Sequence, residues 1–233
     1  MSATGSRWTG RMNMRVAIVS DVVCPWCRIG KANLMQAAEQ WTRETGDQVG
    51  VALLPFLLDP VEPGVKEDFR ERFTKRKEIP ESQMEAMFER VTQVGAQQGL
   101  RFNFDKVKVA VDTVPAHELM ELTPREKQFG LMDAMMSAYF EEGRDIGEID
   151  VLLSIAKDAG LTDEELKEIE PALRSRKMEG QVRSTIAQMQ QAGVQGVPFF
   201  ILNDAVALSG AQPVEVFLQA FEQAKDAQPA GAR

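Results

Sequence analysis

Two pieces of strand pattern stand at opposite ends of this chain, with a long helical stretch between them. Near the N-terminus, Val16-Ala17-Ile18-Val19 is apolar throughout, as a strand covered on both faces is. A second strand, 49–58, follows after one helix, with Val49, Val51 and Leu53 alternating at its start. Near the C-terminus, Val197-Pro198-Phe199-Phe200-Ile201-Leu202, a turn at Asn203-Asp204 and Val206-Ala207-Leu208 read as a hairpin. Neither end has enough strands for a sheet of its own, so the ends must meet across everything that separates them. The expected organisation is an α/β fold built from 14–59 and 193–226. Residues 60–192 are then an inserted α-helical domain, and 1–13 a disordered N-terminal tail.

The inserted stretch has helical period almost throughout. A charged amphipathic helix is expected over 66–77, and another over 82–98, with Ser82 and Glu85 at capping-box spacing and Gly99 as its stop. Phe102 and Phe104 alternate in a short extended piece. Further helices are expected over 115–122, 126–142, 148–159 and 178–192, with one more opened by Thr162 and Glu165. Their apolar stripes need the sheet side or one another for burial, so the insertion reads as a lid on the dithiol rather than a freestanding module. The twelve methionines fall mostly at helical core spacing, which is packing rather than a binding groove. A last helix follows Gln212-Pro213, with Val216, Phe217, Ala220 and Phe221 on its core face, and 228–233 reads as frayed.

The chemistry is concentrated at the first strand-to-helix junction. Both cysteines of the chain lie in Asp21-Val22-Val23-Cys24-Pro25-Trp26-Cys27-Arg28-Ile29-Gly30. Pro25 suits the first helical turn, where its missing N–H costs nothing. Free N–H groups and the helix dipole at that point favour a thiolate at Cys24. Cys27, one turn further in, is within reach of a disulfide and is shielded. Arg28 and Lys31 are either supports for the thiolate or solvated surface. A zinc site needs about four ligands; the chain offers no other cysteine and one distant histidine, His117, which reads as structural, so no metal is expected. A purely structural disulfide is the other bland reading, but 233 residues bury a core without such a staple. A dithiol that cycles between two states fits best.

Composition excludes several partners. The chain carries 27 basic and 35 acidic residues, a net charge of −8, which disfavours nucleic acid and anionic membrane surfaces. No apolar run is long enough to span a bilayer. The first residues lack the apolar core of a signal peptide, so the expected compartment is the cytoplasm, where persistent disulfides are usually catalytic.

With Cys-Pro-Trp-Cys at a strand-to-helix junction and Gly196-Val197-Pro198 opening a late strand, the chain resembles the thioredoxin-fold dithiol oxidoreductases. The inserted helices make it similar to the DsbA family. Ser20 to Cys27, Ile29-Gly30-Lys31, Tyr139 to Gly147, Gly196 to Phe200 and Ser209-Gly210-Ala211-Gln212 resemble the FrnE-like branch in particular, over most of the chain. Kappa-class glutathione transferases and 2-hydroxychromene-2-carboxylate isomerases are relatives of that branch, with serine in the place of Cys24. The resemblance implies a thioredoxin fold, with Cys24 as the attacking thiol and Cys27 as the resolving one. It also implies that Pro198 is a cis-proline against the disulfide. The residues alone leave cis and an ordinary trans edge-strand proline equally open. Val197 would turn its backbone toward an extended substrate, with Pro25 and Trp26 beside it. DsbA itself has a histidine between its cysteines and a strongly acidic thiol; Trp26 brings no charge, so a milder oxidant is expected. The implied activity is protein disulfide exchange, as oxidase, reductase or isomerase. No cofactor is bound, glutathione is a redox partner, and the substrates are protein or small-molecule thiols and disulfides. The chain itself is expected as a monomer or homodimer. A glutathione-dependent isomerase or transferase acting on a small aromatic substrate is the alternative, and a non-enzymatic adaptor is a third.

Overall fold

A computed structural model describes residues 13–227. The expected tail lies outside them, Asn13 excepted, as does the expected frayed end. In chain order the elements begin β1 (Met14–Ser20), α1 (Pro25–Thr45), β2 (Val49–Pro55), β3 (Glu67–Asp68), α2 (Phe69–Lys77), α3 (Glu81–Gln97) and β4 (Val109–Ala110). There follow α4 (Val114–Leu122), α5 (Arg125–Ser137), α6 (Ile149–Asp158), α7 (Asp163–Arg174), α8 (Glu179–Gln191), β5 (Phe199–Leu202), β6 (Val206–Ser209) and α9 (Val214–Asp226). They form two compact units: one comprises the described residues up to Leu58 and from Thr185 onward, the other Asp59–Ser184.

In the first unit the two ends of the chain do meet. The sheet runs β2-β1-β5-β6, with β1 parallel to β2 and antiparallel to β5, and β6 closing a hairpin on β5. Val16 pairs with Leu202 and Ile18 with Phe200 across β1 and β5. Alternation then sorts the side chains onto two faces. Ala17, Val19 and Leu54 form one core cluster with Phe56, Met189 and Val194. On the other side Phe200 and Phe217 meet edge to face at 4.8 Å, and Trp41 of α1 meets Phe221 of α9 at 5.5 Å. Both faces of β1 are therefore covered, which is why its sequence is apolar without alternation. Asn203, at the turn of the hairpin, accepts from Arg15 N at 2.9 Å and donates to Ala224 O at 3.0 Å, tying the hairpin to β1 and α9.

The second unit is helical, with the small pair β3–β4 as its one sheet among the described residues. Its core includes a ring cluster in which Phe88 stacks on Phe104 at 4.2 Å and Phe102 meets Phe140 edge to face. The capping box expected at Ser82 and Glu85 does not form: α3 begins one residue before Ser82, Pro80 is its N-cap, and Glu85 pairs instead with Arg70. The box expected at Thr162 and Glu165 is present in both directions. The single helix expected over 126–142 is α5 followed by a π-helical turn, Ala138–Glu142, closed by Gly143 in the left-handed region. Met84, Met120, Met132, Met135 and Met136 are all buried, in keeping with a packing role, and so is His117.

Candidate active site

The dithiol sits at the end of β1. Cys24 is not the first residue of α1 but its N-cap, with extended backbone angles (φ −97°, ψ 107°), and Pro25 takes the first helical position. The Cys24 sulfur does what a serine oxygen does at such a cap: it accepts a hydrogen bond from Cys27 N, at 3.3 Å. The Cys24 backbone N–H donates to Asp21 O at 3.1 Å, which fixes the turn that leads into the helix. Both cysteines are free thiols and both are buried.

The two differ in their surroundings. Cys27 is fully enclosed, and burial pushes its thiol well above the usual cysteine range. The hydrogen bond and charge of the Cys24 sulfur push it the same way, while the Ser20 hydroxyl and a backbone hydrogen bond from Asp21 oppose the rise. Cys24 faces the other end of the chain: its thiol donates to Val197 O at 3.6 Å. The Val197–Pro198 peptide bond is cis, Val197 is half-buried and Pro198 buried. Pro25 and Trp26 are half-buried beside the dithiol. Of the residues singled out in sequence, Cys24, Cys27, Pro25, Trp26, Val197 and Pro198 thus gather at one point.

Four neighbours carry no assignment in the sequence reading. Ser20, the last residue of β1, holds its hydroxyl beside the Cys27 sulfur. Asp21 is wholly buried, and one of its carboxylate oxygens accepts from Leu58 N at 2.7 Å, binding the segment after β2 to the dithiol turn. Gly30 and Asn33, on the next turns of α1, lie against the Pro198 segment and the turn after β6. Ser20 and Asp21 stand in the motif, but a hydroxyl near a sulfur and a hydrogen bond to a distant N–H leave no spacing signal. Arg28 and Lys31 are both buried, so solvated surface is not what they are. Among the described residues no group of three or more histidine, cysteine, aspartate and glutamate side chains is placed to hold a metal ion. Among the described residues no helix is long and apolar enough to cross a membrane.

A strand, a cysteine-capped helix and a cis-proline loop brought beside the cap define a thioredoxin-like dithiol protein. The profile of the DSBA-like thioredoxin domain matches residues 15–222, and the chain belongs to that family. A crystal structure from Streptomyces coelicolor, described as a probable DsbA oxidoreductase, is 30% identical, with a TM-score of 0.82 over 94% of each chain. The uncharacterized protein YwbO of Bacillus subtilis is 28% identical over 213 residues, covering 90% of this chain and 96% of that protein. The fold is shared with the cytosolic disulfide reductase DsbM of Pseudomonas aeruginosa, whose structure with GSH is 17% identical, with a TM-score of 0.56 over 91% of this chain and 95% of that one.

Proposed function

We propose that this protein is a thiol–disulfide oxidoreductase of the FrnE-like branch that works through its Cys-Pro-Trp-Cys dithiol and a mixed disulfide at Cys24. The observation that carries this reading is the asymmetry of the pair. The Cys24 sulfur caps a helix and meets the backbone of Val197, while Cys27 lies enclosed behind it with its proton held tightly. That division suits an attacking thiol in front and a resolving thiol in reserve. In the reductive direction, the Cys24 thiolate attacks one sulfur of a substrate disulfide. A Cys24–substrate bond forms, and the other substrate sulfur leaves as a thiolate and takes up a proton. Cys27 then loses its proton and attacks the Cys24 sulfur. The intramolecular disulfide forms, the second substrate thiol is released, and two electrons have passed from protein to substrate. The reverse sequence oxidises a dithiol.

Pro25, Trp26, Val197 and Pro198 orient the substrate in this proposal, the Val197 backbone offering hydrogen bonds to an extended peptide. The names carried by the Streptomyces and Pseudomonas proteins support disulfide chemistry of this kind, and the second supports glutathione as a redox partner in the cytoplasm. Trp26 contributes no charge, so the disulfide form is a milder oxidant than DsbA.

The test is a pair of variants and a non-reducing gel. Cys27→Ser should accumulate mixed disulfides with disulfide-containing proteins, because Cys24 still attacks the substrate disulfide while the resolving step is lost, and Cys24→Ser should form none. A glutathione-dependent isomerase makes no such bond, and serine can still hydrogen-bond a glutathione thiolate. Absence of adducts with Cys27→Ser, together with isomerase activity that survives Cys24→Ser, would refute the oxidoreductase reading.

A further inference from the structure

Gly30 occupies a crowded place on α1, one turn beyond the dithiol. A methyl group built on its Cα would lie 3.1 Å from Pro198 Cγ, 3.1 Å from Phe200 Cζ and 3.2 Å from Ala211 Cα. The three neighbours surround it: a ring that cannot rotate away, the tip of a fully buried phenylalanine, and a stretch of main chain. No single one of them could yield and relieve the others. The remaining relief is for α1 to back away from the whole Pro198 segment. Gly30 is thus a point of close approach between α1 and that segment.

One turn on, Asn33 fastens the same approach. It is buried, and its side-chain amide donates to Gln212 O at 2.9 Å. The turn that holds Gln212 reaches back to the segment: Gly210 N donates to Pro198 O at 2.8 Å, and Gln212 Nε2 donates to Ser209 O at 2.7 Å. A continuous path therefore runs from Asn33 through the 209–212 turn to Pro198, and from Val197 O to the Cys24 sulfur. Two sequence motifs that the dithiol chemistry leaves idle, Ile29-Gly30-Lys31 and Ser209-Gly210-Ala211-Gln212, are the two sides of this clasp.

We propose that Gly30 and Asn33 are positioning residues: they set the spacing between Cys24 and the Val197 backbone, and through it the exchange with peptide disulfides. The proposal rests on the oxidoreductase reading above. A substrate with a main chain must fit its sulfur to Cys24 and its backbone to Val197 at once, so a displacement of α1 by a few tenths of an ångström penalises it. A small disulfide with no main chain needs only the sulfur.

The experiment compares two disulfides on the reduced protein, a cystine-bridged peptide and 2-hydroxyethyl disulfide, in wild type, Gly30→Ala and Asn33→Ala. With either variant the peptide should react about tenfold more slowly, since small misplacements are costly in an oriented reaction. Reaction with 2-hydroxyethyl disulfide should stay within about twofold, since the helix N-terminus and its thiol are untouched. A general loss of structure would lower both rates together, and that outcome overturns the proposal, as does an unchanged peptide rate. Asn33→Ala adds no atoms, so it decides the matter if Gly30→Ala does not fold. A wild-type protein inert to both disulfides would instead defeat the oxidoreductase reading, and the positioning role with it.

Discussion

The Cys24 sulfur lies 3.6 Å from the carbonyl oxygen of Val197, a residue 173 positions further along the chain. Closing so long a loop is entropically costly, and the cost is met by the β1–β5 pairing and the two cores either side of it. In the proposed mechanism this contact joins the attacking half of the site to the orienting half. Removing either strand would leave an isolated cysteine pair on a helix end.

The enclosure of Cys27 has a consequence for the reduced protein's stability against pH. Burial raises its thiol well above the usual cysteine range. The folded chain therefore holds that proton more tightly than the unfolded chain. The resulting stabilisation is complete below the unfolded value of about 8.5 and is lost as the pH climbs through the folded value. The urea midpoint of the reduced protein should fall between about pH 8 and about pH 10, and more steeply than that of Cys27→Ala. Equal alkaline slopes for the two would show that Cys27 is not the group responsible.

Gly143 should be the least replaceable glycine of the helical unit. Its φ is +74°, and a Cβ there would lie 2.1 Å from Lys106 O. It closes the π-helical turn, donating to Tyr139 O at 3.1 Å. Gly160 has a similar φ of +93° but open space around it. Gly160→Ala should thus cost only the left-handed conformation, about 1 kcal/mol, whereas Gly143→Ala should exceed about 2 kcal/mol because main chain must also move. Urea denaturation of both variants measures the difference, and equal losses would refute the role given to Lys106.

How much of this could be read beforehand depends on the kind of signal each feature leaves. Val16 to Val19 and Phe199 to Leu202 are continuous apolar runs, and their meeting follows from the shortage of strands at either end. Thr162 and Glu165 form their capping box because the helix begins where the spacing says. Ser82 and Glu85 have the same spacing, but Pro80 just before them already supplies an extended cap, and the helix starts early. The π-helical turn at 138–142 continues the helical period, so nothing in the pattern separates it from α5. Ser20, Gly30 and Asn33 act by contacts with residues near in space and mostly distant in sequence. A single chain gives no spacing for those.

Glu118 should be a strong structural anchor of the helical unit. It is entirely buried on α4, its carboxylate pairs with Arg176, and it accepts from Met178 N at 3.1 Å, just before α8. Arg176 itself is held at φ 54°. Glu118→Ala leaves a partly buried guanidinium without this counter-charge and a backbone donor without its acceptor, a loss expected at about 3 kcal/mol. Glu118→Leu combined with Arg176→Met should recover part of it, since a buried pair is often replaceable by apolar side chains. Chemical denaturation of the two variants and wild type reads both effects. A single variant within about 0.5 kcal/mol of wild type would mean the pair is ornamental.

Trp26 is the residue through which the redox poise should be adjustable. It stands between the cysteines at the start of α1, half-buried, and its indole carries no charge. In Trp26→His an imidazolium would lie beside the Cys24 sulfur and favour the thiolate of the reduced protein. The intramolecular disulfide has no charge for it to meet. Stabilising the reduced form alone makes the oxidised form a stronger oxidant. The equilibrium with glutathione should move toward reduced protein by about tenfold, which is about 1.4 kcal/mol. Trp26→Phe separates charge from ring size: it removes the indole N–H, adds no charge, and should leave the equilibrium within about twofold. Equilibration in glutathione buffers, followed by acid quench and alkylation, measures the reduced fraction for all three proteins. A shift of the same size in Trp26→Phe and Trp26→His would mean that packing at this position, and not charge, governs the dithiol.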